Sequence, residues 1–159
     1  MSSSIETFLT NSSLVSNINR QLTYSEMKEI INNLNSPYIN SKIYEINKTD
    51  CEIEREGITS AIVEADYAIA ETGTVVMDSS DEKLRMATCL AEELHVILPI
   101  SRIKDKLIDI ATFLEEQTSN QASFVAFITG ASRTADIERV LTIGVHGPCK
   151  MYVYILTDR

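Results

Sequence analysis

Short apolar runs alternate with helical patterns from about Asp66 onward, and this alternation limits the folds open to the chain. The apolar runs predict buried strands, at Asp66–Ala70, Gly73–Met77, His95–Pro99, Ser123–Thr129 and Met151–Leu156. Helical spacing between them predicts helices, from the Asp78–Asp81 cap through Leu94, from Ile103 to Glu116 and from Ala135 to Leu141. Strands and helices that alternate through short links predict an α/β sheet with helices on both faces.

The N-terminal third carries weaker signals. Residues 1–20 are rich in Ser and Asn and predict a weak helix or a docked arm. Thr23-Tyr-Ser-Glu26 has the capping-box pattern and predicts a helix through about Leu34. Alternation predicts a strand over Ser41–Ile46, and Gly57–Ala65 is interpreted as a short helix. Residues 21–159 are therefore predicted to form one domain.

Charge and cysteine usage exclude several classes of function. The formal net charge is −9, and Asp50–Glu93 carries 12 acidic residues against three basic ones, so the acidity is local. A basic face for sequence-independent binding of nucleic acid or anionic membrane is not predicted. No apolar run approaches the roughly 18 residues of a spanning helix, and the N-terminus lacks the pattern of a signal peptide, so the cytoplasm is the expected compartment.

No metal centre is predicted. Cys51, Cys89 and Cys149 are far apart, and their spacing fits neither zinc nor an iron–sulfur cluster held by this chain alone. The sequence names no cofactor.

The stretch that follows the Ser123–Thr129 run is the strongest candidate site. It passes through Gly130-Ala-Ser-Arg-Thr134 into the predicted helix that contains Asp136. A strand that feeds a helix N-terminus through such a loop presents backbone N–H groups, hydroxyls and a guanidinium to an anion, at the carboxyl end of a strand. The alternative is a well-capped helix with Arg133 solvated. The Gly-Lys-Ser/Thr ending of a P-loop is missing.

Three further positions have open interpretations. Glu71-Thr72-Gly73-Thr74 joins two predicted strands. It is either an ordinary hairpin turn or the mouth of a site at which Glu71 acts as a general base or an orienting carboxylate. His146 stands between glycines on a turn before the last strand, where it could move a proton or be structural. His95 opens an apolar strand and is interpreted as a satisfied, partly buried residue.

Several of these motifs occur together in a known family. In order they are Ala65–Met77 with its Glu-Thr-Gly-Thr, Leu94–Pro99, Ser132-Arg-Thr-Ala-Asp-Ile-Glu138, and Gly144-Val-His-Gly-Pro148. Over residues 57–157 the chain resembles the LUD domain, the family of the lactate utilization protein C. The resemblance implies a fold similar to the NagB/RpiA/CoA-transferase superfamily. It also implies a part in oxidising L-lactate to pyruvate beside iron–sulfur partner subunits.

The motif positions that the resemblance carries over belong to three groups: Glu71, Thr72, Gly73 and Thr74; Ser132, Arg133, Thr134, Asp136 and Glu138; Gly144, His146 and Gly147. The first hypothesis is a lactate-oxidation subunit that binds a small anionic metabolite, either a small carboxylate or an anionic cofactor, between Glu71–Thr74 and Ser132–Thr134. Arg133 holds the anion, the loop amides and hydroxyls complete the site, and His146 or Glu71 handles a proton. The alternatives are an assembly or regulatory module that docks a basic partner through residues 50–93, and a stand-alone isomerase or acyl-CoA transferase. A homo-oligomer is possible in each case.

Overall fold

A computed structural model of the protein describes residues 2–43, 46–54, 56–119, 123–135, 141–143 and 147–159. Its α-helices are α1 (Ser2–Leu14), α2 (Tyr24–Leu34), α3 (Glu82–Leu90) and α4 (Ala111–Thr118). Its strands are β1 (Ile18–Leu22), β2 (Tyr38–Ser41), β3 (Ile46–Lys48), β4 (Ile58–Glu64), β5 (Tyr67–Ile69), β6 (Thr74–Asp78), β7 (Ala91–Pro99), β8 (Ile103–Lys104), β9 (Val125–Ile128), β10 (Arg133–Ala135), β11 (Leu141–Ile143) and β12 (Lys150–Leu156). Two short 3-10 helices cover Ile100–Arg102 and Leu107–Ile110.

The predicted α/β fold is confirmed. A six-stranded sheet has the order β1-β12-β7-β4-β2-β3, and every neighbouring pair in it is parallel except β2 with β3. Neighbouring parallel strands must be joined by crossover connections, and here the helices and a second sheet form those connections.

The central strands are buried on both faces, and successive side chains alternate between two cores. In β7, Leu94 and Val96 belong to one core cluster, while Ile97 belongs to the other. The first cluster also takes Phe8 from α1 and Ala87 from α3. The second takes Met27 and Ile31 from α2. Helices therefore cover both faces of the sheet, as predicted.

A smaller sheet packs on the same face as α1 and α3. Its order is β8-β5-β6-β9, and Val75 and Met77 of β6 enter the first cluster. Its outer face is covered by Ile110 and Phe113, with Phe113 in edge-to-face contact with Tyr67 at 5.2 Å. The antiparallel pairing of β5 with β6 confirms the predicted pair of strands.

The N-terminal segment is part of the domain's framework. Residues Ser2–Leu14 form a helix, and Phe8 is fully buried. The next residues form β1, which sequence analysis missed and which pairs in parallel with β12, Ile18 opposite Tyr152. The capping box of Thr23 and Glu26 is confirmed at the start of α2.

One predicted helix is wrong and another is correct except at its C-terminal end, because the residues concerned lie in the parallel sheet. Gly57–Ala65 contains β4, which is paired on one side with β2 and on the other with β7. The helix predicted to reach Leu94 ends at Leu90, and β7 begins at Ala91. The apolar residues of both segments, Ile58, Ala61 and Ile62 in the first and Ala91 and Leu94 in the second, have helical spacing, and over such short segments periodicity does not separate a buried strand from a buried helix.

Other boundaries also differ from the predictions. The strand predicted over Ser41–Ile46 is not a single strand in the described residues: Ser41 ends β2, Lys42 and Ile43 lie in a turn, and Ile46 begins β3. The helix predicted from Ile103 to Glu116 is divided into β8, a 3-10 helix and α4. The helix predicted over Ala135–Leu141 is wrong at both ends, because Ala135 is in β10 and pairs antiparallel with Leu141 of β11. Among the described residues, the helices are too short or too polar to cross a membrane.

Candidate functional site

The turn between β5 and β6, residues 71–74 (the Thr74 turn), is seated on the end of α1. The Asn11 side-chain amide donates to the carbonyl of Ala70 at 2.8 Å and to that of Glu71 at 3.1 Å. Gly73 has a φ of +66°, and a Cβ there would lie 2.4 Å from the backbone nitrogen of Ser12. Glycine is therefore required both by the left-handed backbone and by the close approach of α1.

The Glu71 carboxylate is exposed and turned toward a neighbouring segment. Its Oε1 atom accepts a hydrogen bond from the backbone N–H of Leu107 at 3.1 Å. Leu107 begins a 3-10 helix, so the carboxylate acts as a cap there. The backbone N–H of Glu71 in turn donates to the carbonyl of Asp105 at 3.1 Å. These contacts give Glu71 a structural role at the mouth of the turn.

A row of threonine hydroxyls joins the Thr74 turn to the end of β9. Val75 pairs with Ile128, so the start of β6 faces the end of β9. Thr72 Oγ1 donates to Thr74 Oγ1 at 2.8 Å, and Thr74 Oγ1 lies 3.0 Å from Thr129 Oγ1. Because the Thr74 oxygen accepts from Thr72, its own proton is free to donate to Thr129. Two motifs that are distant in sequence are thus neighbours.

The loop of residues 129–132 (the Gly130 loop) rests on the turn between α1 and β1. The Asn17 amide donates to the Thr129 carbonyl at 3.1 Å. A Cβ on Gly130 would lie 2.7 Å from the Val15 carbonyl oxygen and 3.2 Å from Asn17 Oδ1. Sequence analysis did not identify Asn11 or Asn17 as site residues. Their only local signal was the density of Ser and Asn in the first 20 residues.

A third motif segment, Gly147–Pro148, meets the Gly130 loop. The Ser132 backbone N–H donates to the Pro148 carbonyl at 2.8 Å, and a Cβ on Gly147 would lie 3.1 Å from that of Ser132. The Gly130 loop and this segment line an open groove of about 310 Å³. The groove is lined by Thr88, Cys89, Ala126, Phe127, Ile128, Thr129, Gly130, Ser132, Gly147 and Pro148.

The remaining predicted site residues are described only in part. Arg133 and Thr134 are described as backbone in β10, without their side chains. Asp136, Glu138, Gly144 and His146 lie outside the described residues. The structure therefore brings together Thr72, Gly73, Thr74, Gly130, Ser132 and Gly147.

The Gly130 loop follows the carboxyl end of a strand, as predicted, but that strand, β9, belongs to the small sheet and not to the parallel one. Asn17 immediately precedes β1, and Pro148 lies two residues before β12. The Gly130 loop thus borders the amino-terminal edge of the large parallel sheet, although it follows the carboxyl end of β9 in the small antiparallel one. The described start of the predicted helix, Ala135, is a strand residue, so a helix N-terminus at that residue does not supply the anion site.

A second cavity lies at the carboxyl edge of the parallel sheet, near the ends of β2 and β4. It has a volume of about 410 Å³ and is lined by Asn40, Lys42, Glu64, Asp66, Asp78, Asp81, Leu84, Phe113, Glu116 and Gln117. The Glu64 side chain is 7% exposed and forms an ion pair with Arg102 at 2.8 Å. Its other oxygen accepts from Ser41 Oγ at 2.9 Å and from the Ile43 N–H at 2.8 Å. Glu64 is fully paired, whereas the cavity around it is strongly acidic.

His95 differs from its sequence interpretation. It is 2% exposed, and its ring stacks on Tyr152 with 4.6 Å between centroids. Nδ1 shares a hydrogen bond with the Tyr154 hydroxyl at 2.9 Å, but Nε2 has no hydrogen-bond partner among the described residues. Burial lowers the pKa of His95 below its ordinary value; Arg20 acts in the same direction and Glu93 opposes it. His95 is thus buried and only half satisfied.

Within the described residues, no three His, Cys, Asp or Glu side chains are grouped so that they could hold a metal ion.

Comparison with known proteins supplies a family context. The model of the LUD domain matches residues 9–156. The chain is 38% identical over 98 residues to the lactate utilization protein C of Geobacillus thermodenitrificans (strain NG80-2), covering 60% of this chain and 41% of that protein. It is 34% identical over 110 residues to the protein of the same name from Shouchella clausii (strain KSM-K16), covering 68% and 46%. These alignments span less than half the length of the curated relatives.

The fold is similar to that of a solved structure. A crystal structure of a DUF162 family protein from Deinococcus radiodurans matches with a TM-score of 0.68 and 13% identity, over 98% of this chain and 97% of that one. At that identity the likeness concerns the fold.

Proposed function

Since this chain belongs to the LUD domain family, we propose that it takes part in lactate utilization and binds a small carboxylate in the groove lined by Thr129, Ser132 and Pro148 (the carboxylate groove). The relatives that carry the name lactate utilization protein C support the metabolic role. In this proposal the chain works with iron–sulfur partner subunits that receive the two electrons when L-lactate becomes pyruvate.

One observation carries the choice of site: the direction of the threonine row. Thr72 donates to Thr74, and Thr74 is left to donate to Thr129 across 3.0 Å. The Thr129 hydroxyl proton is then free to point into the groove that Thr129 lines. A chain of hydroxyls polarised in one direction strengthens its last donor, and a carboxylate is a strong acceptor for such a donor.

The other motif residues take roles around this donor. Ser132 supplies a second hydroxyl in the groove. Arg133, the next residue along the chain, is proposed to bind the carboxylate as a bidentate partner. Because the Glu71 carboxylate caps the 3-10 helix at Leu107, we assign the proton-handling role to His146 rather than to Glu71. Thr134 and Asp136 are proposed to contribute to binding of the same ligand.

Binding measurements test the site directly. We expect calorimetric titration to detect L-lactate or pyruvate binding to the wild-type protein. Arg133→Ala should weaken that affinity by about tenfold to a hundredfold, the loss typical of a charge-assisted hydrogen bond. Lys28→Ala is the matched control, since it removes the same charge from an exposed position on α2. Equal affinities for the wild type and Arg133→Ala would contradict the role of Arg133.

Cys89 provides an independent reporter of occupancy. It lines the groove and is a free, exposed cysteine. In a Cys149→Ser background, a bound carboxylate should slow the alkylation of Cys89. If the ligand binds but leaves the alkylation rate of Cys89 unchanged, the ligand lies elsewhere and the groove assignment is wrong.

The acidic cavity favours a second role, the docking of a basic partner. Glu64, Asp66, Asp78, Asp81 and Glu116 all line it. Association through such a surface weakens steeply as salt is added. The role predicts that a complex with an iron–sulfur subunit dissociates between low and moderate salt, and that it does not form with an Asp78→Asn/Asp81→Asn variant. A complex whose stability is independent of salt contradicts the role.

A further inference from the structure

Asn17 is the contact between the N-terminal segment and the Gly130 loop. Its side chain is buried, with 6% of the residue exposed. The amide nitrogen donates to the Thr129 carbonyl at 3.1 Å, across 112 residues of sequence, and to Ser12 Oγ at 3.0 Å. One side chain thus fixes the peptide that carries the Thr129 hydroxyl.

The hydrogen-bond network determines which way the Asn17 amide points. Ser12 Oγ donates to Asn19 Oδ1 at 2.8 Å, so it presents a lone pair to Asn17. The Thr129 carbonyl can only accept. A flipped amide would place Oδ1 against two acceptors, and the orientation with nitrogen toward Thr129 is therefore favoured.

This orientation leaves the Asn17 Oδ1 atom without a partner. Oδ1 is buried and has no hydrogen bond among the described residues. It lies 3.2 Å from the position of a Cβ on Gly130. An unpaired buried acceptor costs folding free energy, and an apolar side chain of similar size would avoid that cost. What the amide adds is its two bonds, to Ser12 and to Thr129, and only the second reaches the Gly130 loop.

We infer that Asn17 is a positioning residue of the carboxylate groove, which acts through Thr129. By holding the Thr129 carbonyl, Asn17 keeps Thr129 Oγ1 within hydrogen-bond distance of Thr74 and its proton directed at a small carboxylate ligand. This inference rests on the proposed function for its ligand, whereas the placement of the loop by Asn17 stands on the geometry alone.

A double-mutant cycle tests whether Asn17 acts through Thr129. The variants are Asn17→Ala, Thr129→Val and the two combined, titrated with L-lactate and pyruvate by calorimetry. We expect Asn17→Ala and Thr129→Val each to weaken binding by about tenfold, and the double variant to bind no more weakly than Thr129→Val. Ser13→Ala is the control, because Ser13 is exposed in the same segment and its hydroxyl bonds Asn19 rather than Asn17 or the Gly130 loop. Its affinity should match the wild type.

Unchanged affinity in Asn17→Ala, or losses that simply add in the double variant, would overturn the inference. If Asn17→Ala does not fold, Asn17→Asp replaces it, since the aspartate keeps the shape and loses the donor to Thr129.

Hydrogen exchange in the ligand-free protein separates this inference from the proposed function. Amides of residues 129–131 should exchange faster in Asn17→Ala than in Ser13→Ala. A wild-type protein that binds neither acid contradicts the proposed function, and the exchange rates then decide the role of Asn17: faster exchange supports it, and unchanged exchange overturns it.

Discussion

Replacing Gly73 by alanine should displace helix α1 and lower the stability of the whole domain. The new methyl group would lie 2.4 Å from the Ser12 nitrogen, 2.6 Å from the Asn11 carbonyl carbon and 2.7 Å from the Ser12 Cα, all backbone atoms. Backbone cannot turn aside as a flexible side chain can, so either α1 or the Thr74 turn must move. The glycine also has a φ of +66°, where an alanine is strained.

The magnitude follows from these two effects. The left-handed backbone costs an alanine about 1 kcal/mol, and overpacking in a well-packed region costs about 1–3 kcal/mol. Together they lower the free energy of unfolding by about 2–4 kcal/mol. For a chain of 159 residues this corresponds to a fall in Tm of about 4–16 °C.

Chemical denaturation and calorimetry measure this loss, and limited proteolysis of α1 shows where it acts. Thr72→Ser is the control, because it lies in the same turn, is exposed and keeps its hydroxyl; its Tm should change by less than about 2 °C. A Gly73→Ala protein whose Tm and α1 cleavage rate both equal those of the wild type would refute the proposed packing of the turn on α1.

Three further substitutions have definite expected outcomes. Thr23→Ala removes the N-cap of α2 and should cost about 1 kcal/mol in a denaturant titration; no loss would show that the cap is dispensable. Arg102→Met removes the ion pair of the Glu64 carboxylate but leaves its bonds to Ser41 and Ile43. Because Arg102 is itself 30% exposed, the cost should be about 1–3 kcal/mol by the same assay, and a neutral result would mean that the pair is solvated. Burial holds the pKa of His95 below its unfolded value, so the unfolded state binds more protons as pH falls from 7 to 5 and stability falls with it. His95→Gln, which keeps an acceptor for Tyr154, should flatten that dependence, and an unchanged slope in pH-dependent unfolding would contradict the buried, neutral histidine.

Local signals in the sequence were sufficient for elements whose burial is one-sided or whose ends are chemically marked. The capping box at Thr23 begins α2. The Thr-Gly pair before Thr74 separates two antiparallel strands. Each signal works because turn residues and caps satisfy backbone groups within a few positions of the chain.

The same local signals failed where pairing over long distances decides the structure. Ile58–Glu64 and Ala91–Leu94 have helical spacing, but they form strands because each is hydrogen-bonded in the parallel sheet on both sides. Helix propensity differs among ordinary residues by less than about 1 kcal/mol each. Burial between two cores and two ladders of hydrogen bonds outweighs that difference.

The sequence by itself determined the α/β class, the family and the motif residues of the site, because these depend on residue type and order. The tertiary structure alone decided that the Gly130 loop borders the amino-terminal edge of the parallel sheet. It also decided that Asn11 holds the Thr74 turn and that Asn17 holds the Gly130 loop. Asn17 and Thr129 are 112 residues apart, and no local pattern encodes such a contact. The contact arises only when β1 pairs with β12 and β6 pairs with β9, because those pairings bring the start of β1 close to the end of β9.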